Sequence, residues 1–190
     1  MKKSVLLFVA VVAFSAASYA QGVSFGVKAG VNFASQKWEA GGFSVSPDGR
    51  TAFHVGGFVT AMFSEKFGLQ PELLYNSVGT GEEDFEIAMD YLSVPVLFRY
   101  QPIELLNIHA GPQFGFLLSA KSDGEDVKEF TKGLDVGAAV GAGVDLPMGL
   151  GFTARYIMGL TNVMDDEDNE GVEVKNNVFQ ISVTYRFGSN

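Results

Sequence analysis

The chain has 190 residues, 47% of them hydrophobic and only 18% charged, with 23 glycines, 17 phenylalanines, no cysteine and a formal charge of −9. Average domains carry about 25% charged residues and roughly 7% glycine, so this composition excludes a disordered chain and leans toward membrane, as does a mean hydropathy of +0.17. Without cysteine there is no disulfide framework, thiolate zinc site or thiol nucleophile, and the acidic balance excludes the basic surface that nucleic acid requires.

Lys2 and Lys3 open the chain, followed by an uncharged run from Val5 to Phe14 and small residues ending at Ser18-Tyr19-Ala20. This order predicts a secretory signal peptide over residues 1–20, cleaved after Ala20. The apolar run is too short for a membrane-spanning helix, which needs about 20 residues. Loss of the two lysines leaves 11 basic and 22 acidic side chains in residues 21–190, a net charge of −11 on a single expected barrel domain.

From Val23 onward the hydrophobic period is 2, and it recurs in eight segments, near residues 23–34, 52–64, 66–76, 89–100, 105–119, 134–146, 149–162 and 177–187. In the first, Val23, Phe25, Val27, Ala29, Val31 and Phe33 share one face, and Ser24, Gly26, Lys28, Gly30, Asn32 and Ala34 the other. The last alternates Phe179, Ile181, Val183, Tyr185 and Phe187 with Val178, Gln180, Ser182, Thr184 and Arg186. The apolar faces are read as free of charge. Opposite them the pattern predicts Lys28, Glu72, Asp90, Arg99, Asp135, Asp145, Arg155 and Arg186, which sum to zero.

A soluble ligand-carrying barrel would scatter Lys and Glu over its outside, whereas a membrane barrel puts its apolar face toward lipid and its polar face inside. The fold predicted is therefore all-β: an eight-stranded antiparallel up-and-down transmembrane β-barrel. Closure gives every backbone N–H and C=O a partner where no water is available. Ser64-Glu65-Lys66, Gln101-Pro102-Ile103-Glu104 and Pro147-Met148-Gly149 read as tight periplasmic turns, and residues 35–50, 77–88, 121–133 and 163–176 as long external loops. Aromatic residues at the strand ends (Phe25, Phe63, Phe67, Tyr100, Phe152 and Phe187, with Tyr75 and Tyr156 toward the other rim) fit interfacial girdles.

Gly26-Val27-Lys28-Ala29-Gly30-Val31-Asn32-Phe33, Leu69-Gln70-Pro71-Glu72-Leu73-Leu74-Tyr75 and Tyr91-Leu92-Ser93-Val94-Pro95-Val96-Leu97-Phe98-Arg99-Tyr100 follow one another in order. With Ala110-Gly111-Pro112, Arg155-Tyr156 and Tyr185-Arg186-Phe187 they resemble the Bacteroidetes outer-membrane beta-barrel domain family, the PorT-like and OmpX-like small barrels. The resemblance implies an eight-stranded outer-membrane barrel without implying one activity; the PorT proteins act in a secretion system. The chain departs from it at the end, where Gly188-Ser189-Asn190 follow Phe187, the aromatic residue that the insertion machinery usually meets last.

Three sets of residues are candidates for chemistry. The inward charges could line a solute path or pair off in a packed core, and the second is expected, because an eight-stranded barrel is just wide enough for its own side chains. His54 and His109 could serve a lipid-modifying enzyme of the outer membrane, but both fall on the inward face, His54 near the outer rim and His109 near the periplasmic end, and a structural role is expected. The external loops hold 16 of the 22 acids and six bases, Lys37, Arg50, Lys121, Lys128, Lys132 and Lys175. Within Asp165–Glu173, Asp166, Asp168 and Glu170 have the spacing that starts a calcium loop, but Asn177 stands where the bidentate Glu belongs, so solvated surface charge is the default. Trp38 and Phe43 mark a membrane rim or a contact surface. No cofactor is implied. The partners expected are outer-membrane lipid or lipopolysaccharide, the insertion machinery, and a surface or secretion-system protein docking on the loops of a monomer; catalysis and an open pore are not expected.

Overall fold

The computed structural model describes residues 22–40, 43–45, 49–82, 85–164 and 172–187. The predicted signal segment and the loop acids Asp166, Asp168 and Glu170 lie outside these residues. Eight long strands are present: β1 Gly22–Ala40, β2 Arg50–Met62, β3 Phe67–Glu82, β4 Phe85–Ile103, β5 Leu106–Ser122, β6 Leu134–Asp145, β7 Leu150–Gly159 and β8 Val172–Phe187. Two short strands, Phe43–Val45 and Glu125–Asp126, pair onto β1 and β5. Each long strand runs antiparallel to its neighbours in chain order, and β8 returns to β1 in register from Phe25↔Phe187 to Ala40↔Val172, which closes the barrel. No helix among the described residues is long and apolar enough to cross a membrane.

Alternation decides the faces as the sequence pattern requires. Phe25, Val27, Val31 and Phe33 of β1 are exposed, as are Phe179, Ile181, Val183, Tyr185 and Phe187 of β8, while Lys28, Asn32, Gln180 and Ser182 are buried inside. Aromatic pairs stud the outer surface toward both rims, Phe67 stacking on Tyr100 at 5.1 Å near the periplasmic turns and Phe33 against Phe179 at 6.4 Å toward the outside. Among the turns, residues 63–66 close with Phe63 N–H and Ser64 N–H both donating to the Phe67 carbonyl, and Gly149 supplies the positive φ of 82° that turns β6 into β7.

The strands run further outward than the hydrophobic pattern shows. Gly81↔Glu86 and Glu82↔Phe85 extend the β3–β4 hairpin through what reads as loop, and β1 reaches Ala40. Beyond the lipid the outer face meets water, so it no longer has to be apolar, and the ladder continues while the alternation that signals it fades. The interior is also less uniformly polar than expected. Its outer half holds an apolar cluster including Ala34, Val78, Met89, Tyr91, Leu117, Ile157, Val174 and Val178, against which Trp38 packs. Trp38 therefore belongs to the barrel's inner filling. Apolar side chains close that end because only burial removes them from water there.

Inward glycines are where the walls approach long side chains. A Cβ on Gly30 would lie 2.1 Å from the Ile181 carbonyl oxygen, 2.7 Å from Ser182 Cα and 2.7 Å from His54 Cε1. Gly30→Ala is expected to lower stability by about 1–3 kcal/mol, seen as a lower temperature for the shift from folded to unfolded mobility on SDS gels. Gly133→Ala, where a Cβ meets nothing within 4 Å, is the control and should leave that temperature unchanged.

Candidate functional site

Midway along the barrel, Glu72 projects inward from β3 and is held from three sides. Arg155, reaching across from β7, donates from Nη1 to Oε2 at 2.8 Å and from Nη2 to Oε1 at 2.7 Å, a bidentate pair. Lys28 Nζ approaches at 3.3 Å and Gln70 Nε2 donates at 2.8 Å. The three charged side chains are at most 1% exposed. Arg155 can cross because the facing positions are small: a Cβ on Gly141 would lie 2.6 Å from His109 Nε2, the atom that accepts from Arg155 Nε at 3.2 Å.

Nearer the periplasmic mouth, Asp145 is shared by Arg99 and Arg186, the latter at 3.1 Å, and by Asn107 at 2.9 Å. Arg99 also donates to Gln70 at 2.9 Å, which links the two clusters. Together they contain four cations and two carboxylates. Asp135, toward the outer end, accepts from Thr161 at 2.9 Å and from Asn176 at 3.0 Å, both neutral.

Seven of the eight predicted interior charges are thus inside. Asp90 is not. It alternates with Met89 and Tyr91, which belong to the interior cluster, and so projects on the other face with Leu92, opposite Ser77 of β3. An outward carboxylate is tolerated there because Asp90 lies near the outer end of β4, where the cost of a charge on the lipid face falls toward zero. Its removal leaves the seven that remain at +1 instead of neutral.

Neutral amides, of which Asn32 and Gln180 already fall on the inward face by alternation, share the interior with these charges. Above the Glu72 cluster, Asn32 Nδ2 donates to Asn76 Oδ1 at 2.8 Å, and Gln180 Nε2 donates to Asn32 Oδ1 at 2.9 Å and to Asn76 Oδ1 at 3.1 Å. The available signal was their parity, since each shares the face of a charged or glycine neighbour.

His54 pairs in register with Gly30 and Asn76, deeper than the outer rim where the sequence pattern put it. Asn32 Nδ2 donates to the Phe53 and Ser77 carbonyls, so its Oδ1 is the acceptor facing His54 Nδ1 at 2.7 Å. His54 Nε2 is then free to accept from Ser182 Oγ at 2.8 Å. A hydroxyl, an imidazole and an orienting amide in this order have the connectivity of a nucleophilic triad. However, none of the three is more than 1% exposed, and Gly30 presses so closely that not even a methyl group fits beside Ser182. The arrangement is a buried hydrogen-bond relay with no room for an acyl substrate.

A closed antiparallel barrel with an apolar outside and a bonded polar core inside is an integral protein of the outer membrane. Residues 17–165 match the family model for the outer membrane protein beta-barrel domain, and the chain belongs to that family. Comparison with curated proteins finds no match. Among solved structures, the chain is similar to Neisserial surface protein A (13% identity, TM-score 0.58, covering 88% of this chain and 100% of that one). It is similar also to Ail, the attachment invasion locus protein of Yersinia pestis (14% identity, TM-score 0.53, 86% and 98%). A third likeness is to OprG of Pseudomonas aeruginosa (15% identity, TM-score 0.51, 89% and 97%). At these identities the likeness is one of fold.

Proposed function

We propose that this outer-membrane barrel is non-enzymatic and works through its external rim and loops, in surface contact, adhesion or envelope organisation, and not as a channel. The observation that carries the reading is the Glu72 cluster: Lys28 and Arg155 converge on one carboxylate from other walls of the barrel, and their side chains occupy the space that a solute would need. The buried Ser182–His54–Asn32 relay speaks against the alternative, a lipid-modifying enzyme, for want of room beside the hydroxyl. Reconstituted in planar bilayers, the protein is expected to give no stable conductance, and a large steady current would overturn the proposal.

Charge narrows the partner. Ail has been solved with the heparin analogue sucrose octasulfate, but the loops predicted here carry 16 acids against six bases and would repel such a polyanion. A cationic protein surface, or lipopolysaccharide phosphate bridged by divalent cations on residues such as Asp166, Asp168 and Glu170, suits that charge better. Export by the signal peptide of residues 1–20, delivery by the insertion machinery and a monomeric barrel complete the reading. Crosslinking in the native envelope separates it from a PorT-like role: a stoichiometric secretion partner would place the protein in such an assembly instead.

A further inference from the structure

Among the described residues, one interior carboxylate has no cation beside it. Asp135 is bonded only to neutral donors, Thr161 and Asn176, while the interior arginines and Lys28 serve Glu72 and Asp145. Asp135 lines a cavity of about 20 Å³ in the outer half of the barrel, room for one particle the size of a water molecule. The space exists because Gly115, Gly137 and Gly159 place three side-chain-free positions side by side, Gly115 pairing with Asp135 and Gly137 with Gly159.

Two oxygens of lining residues are left unbonded. Ser93, 1% exposed, and Gln113, 8% exposed, both line the cavity, and Ser93 Oγ and Gln113 Oε1 have no hydrogen-bond partner among the described residues. Asn76 and Asn176 line the same wall, their amide oxygens already accepting from Asn32 and Gln180 and from Gln36. Asp135 is half-buried, so a carboxylate with only neutral partners there gains from a nearby positive charge, and carboxylate, carbonyl and hydroxyl oxygens are the donors that hard cations prefer. A divalent ion would want more carboxylates, and no group of three or more acidic or histidine ligands occurs among the described residues.

From these observations we infer that the cavity is a site for a single monovalent alkali cation, which neutralises Asp135 and ties β4, β5 and β6 together inside the barrel. The test uses the refolded full chain in detergent micelles and sodium-23 NMR. Sodium is expected to show saturable line broadening that potassium displaces and choline does not, and Asp135→Asn should abolish the saturable part while leaving the weak background of the loops. Gly115→Ala gives a second variant, because its Cβ would meet the Tyr91 ring at 3.2 Å and the Asp135 carbonyl oxygen at 3.5 Å, filling space with only a small shift. It too should lose the broadening while keeping heat-modifiable folded mobility. Saturable broadening that persists in both variants, or none in the parent protein, overturns the site and leaves the cavity to water or to a protonated Asp135.

Discussion

Replacing Glu72 by Gln is expected to destabilise the folded barrel by about 3–5 kcal/mol, the cost of leaving buried charge without its partner. The substitution keeps the shape and the contact with Gln70 but removes the carboxylate that Lys28 and Arg155 share. Both cations are essentially unexposed, so water cannot take its place. Unfolding in urea from lipid vesicles, followed by the fluorescence of Trp38, the single tryptophan, is a suitable readout because Trp38 packs on the interior cluster and reports closure. Exchanging all three for apolar residues of similar volume (Lys28→Met, Glu72→Leu, Arg155→Met) should recover most of the loss, since a buried ion cluster often gains little over a packed apolar core. If Glu72→Gln unfolds at the same urea concentration as the parent, the central cluster is not what holds the walls together.

Val183→Arg tests the opposite face. Val183 lies on the outside between Ala29 of β1 and Phe152 of β7, halfway between the aromatic residues at the two ends of the seam, Phe25 with Phe187 and Phe33 with Phe179. It is 47% exposed, and in a soluble protein an arginine there would be harmless. At the bilayer midplane the same change costs about 2–4 kcal/mol, so the folded fraction in vesicles should fall sharply, whereas Val183→Leu should be neutral. An arginine tolerated at this position would mean that the outer surface does not face lipid, and would undo the membrane reading at its root.

Much of this architecture was legible in the chain because lipid and barrel interior impose opposite demands on alternate residues. Lys28, Glu72, Arg99 and Arg155 could be placed inside by parity alone, and the tight turns at Ser64 and Gly149 by their residue types. Asp90 shows the limit of that reasoning. Its parity with Leu92 pointed outward, but the rule that no charge faces lipid pointed inward, and the rule does not hold at the strand's outer end. Trp38 fell in a stretch where alternation had faded, so nothing local distinguished a rim residue from interior filling. Asp135 was placed inside correctly, yet its lack of a cation could not be foreseen while the eight interior charges were counted as a balanced set.

The sequence by itself determined the number of long strands, the face each turns to lipid and the membrane the protein occupies, because solvent acts on every strand one residue at a time. Only the tertiary structure decided the partners inside. Lys28 and Glu72 are 44 residues apart and Glu72 and Arg155 are 83 apart, and which of them meet depends on the stagger with which eight strands close into a barrel. That stagger brings two cations to Glu72 and two to Asp145 and leaves Asp135 beside a small cavity with none. Parity along a strand carries no information about height around the barrel, and height is what pairs the charges.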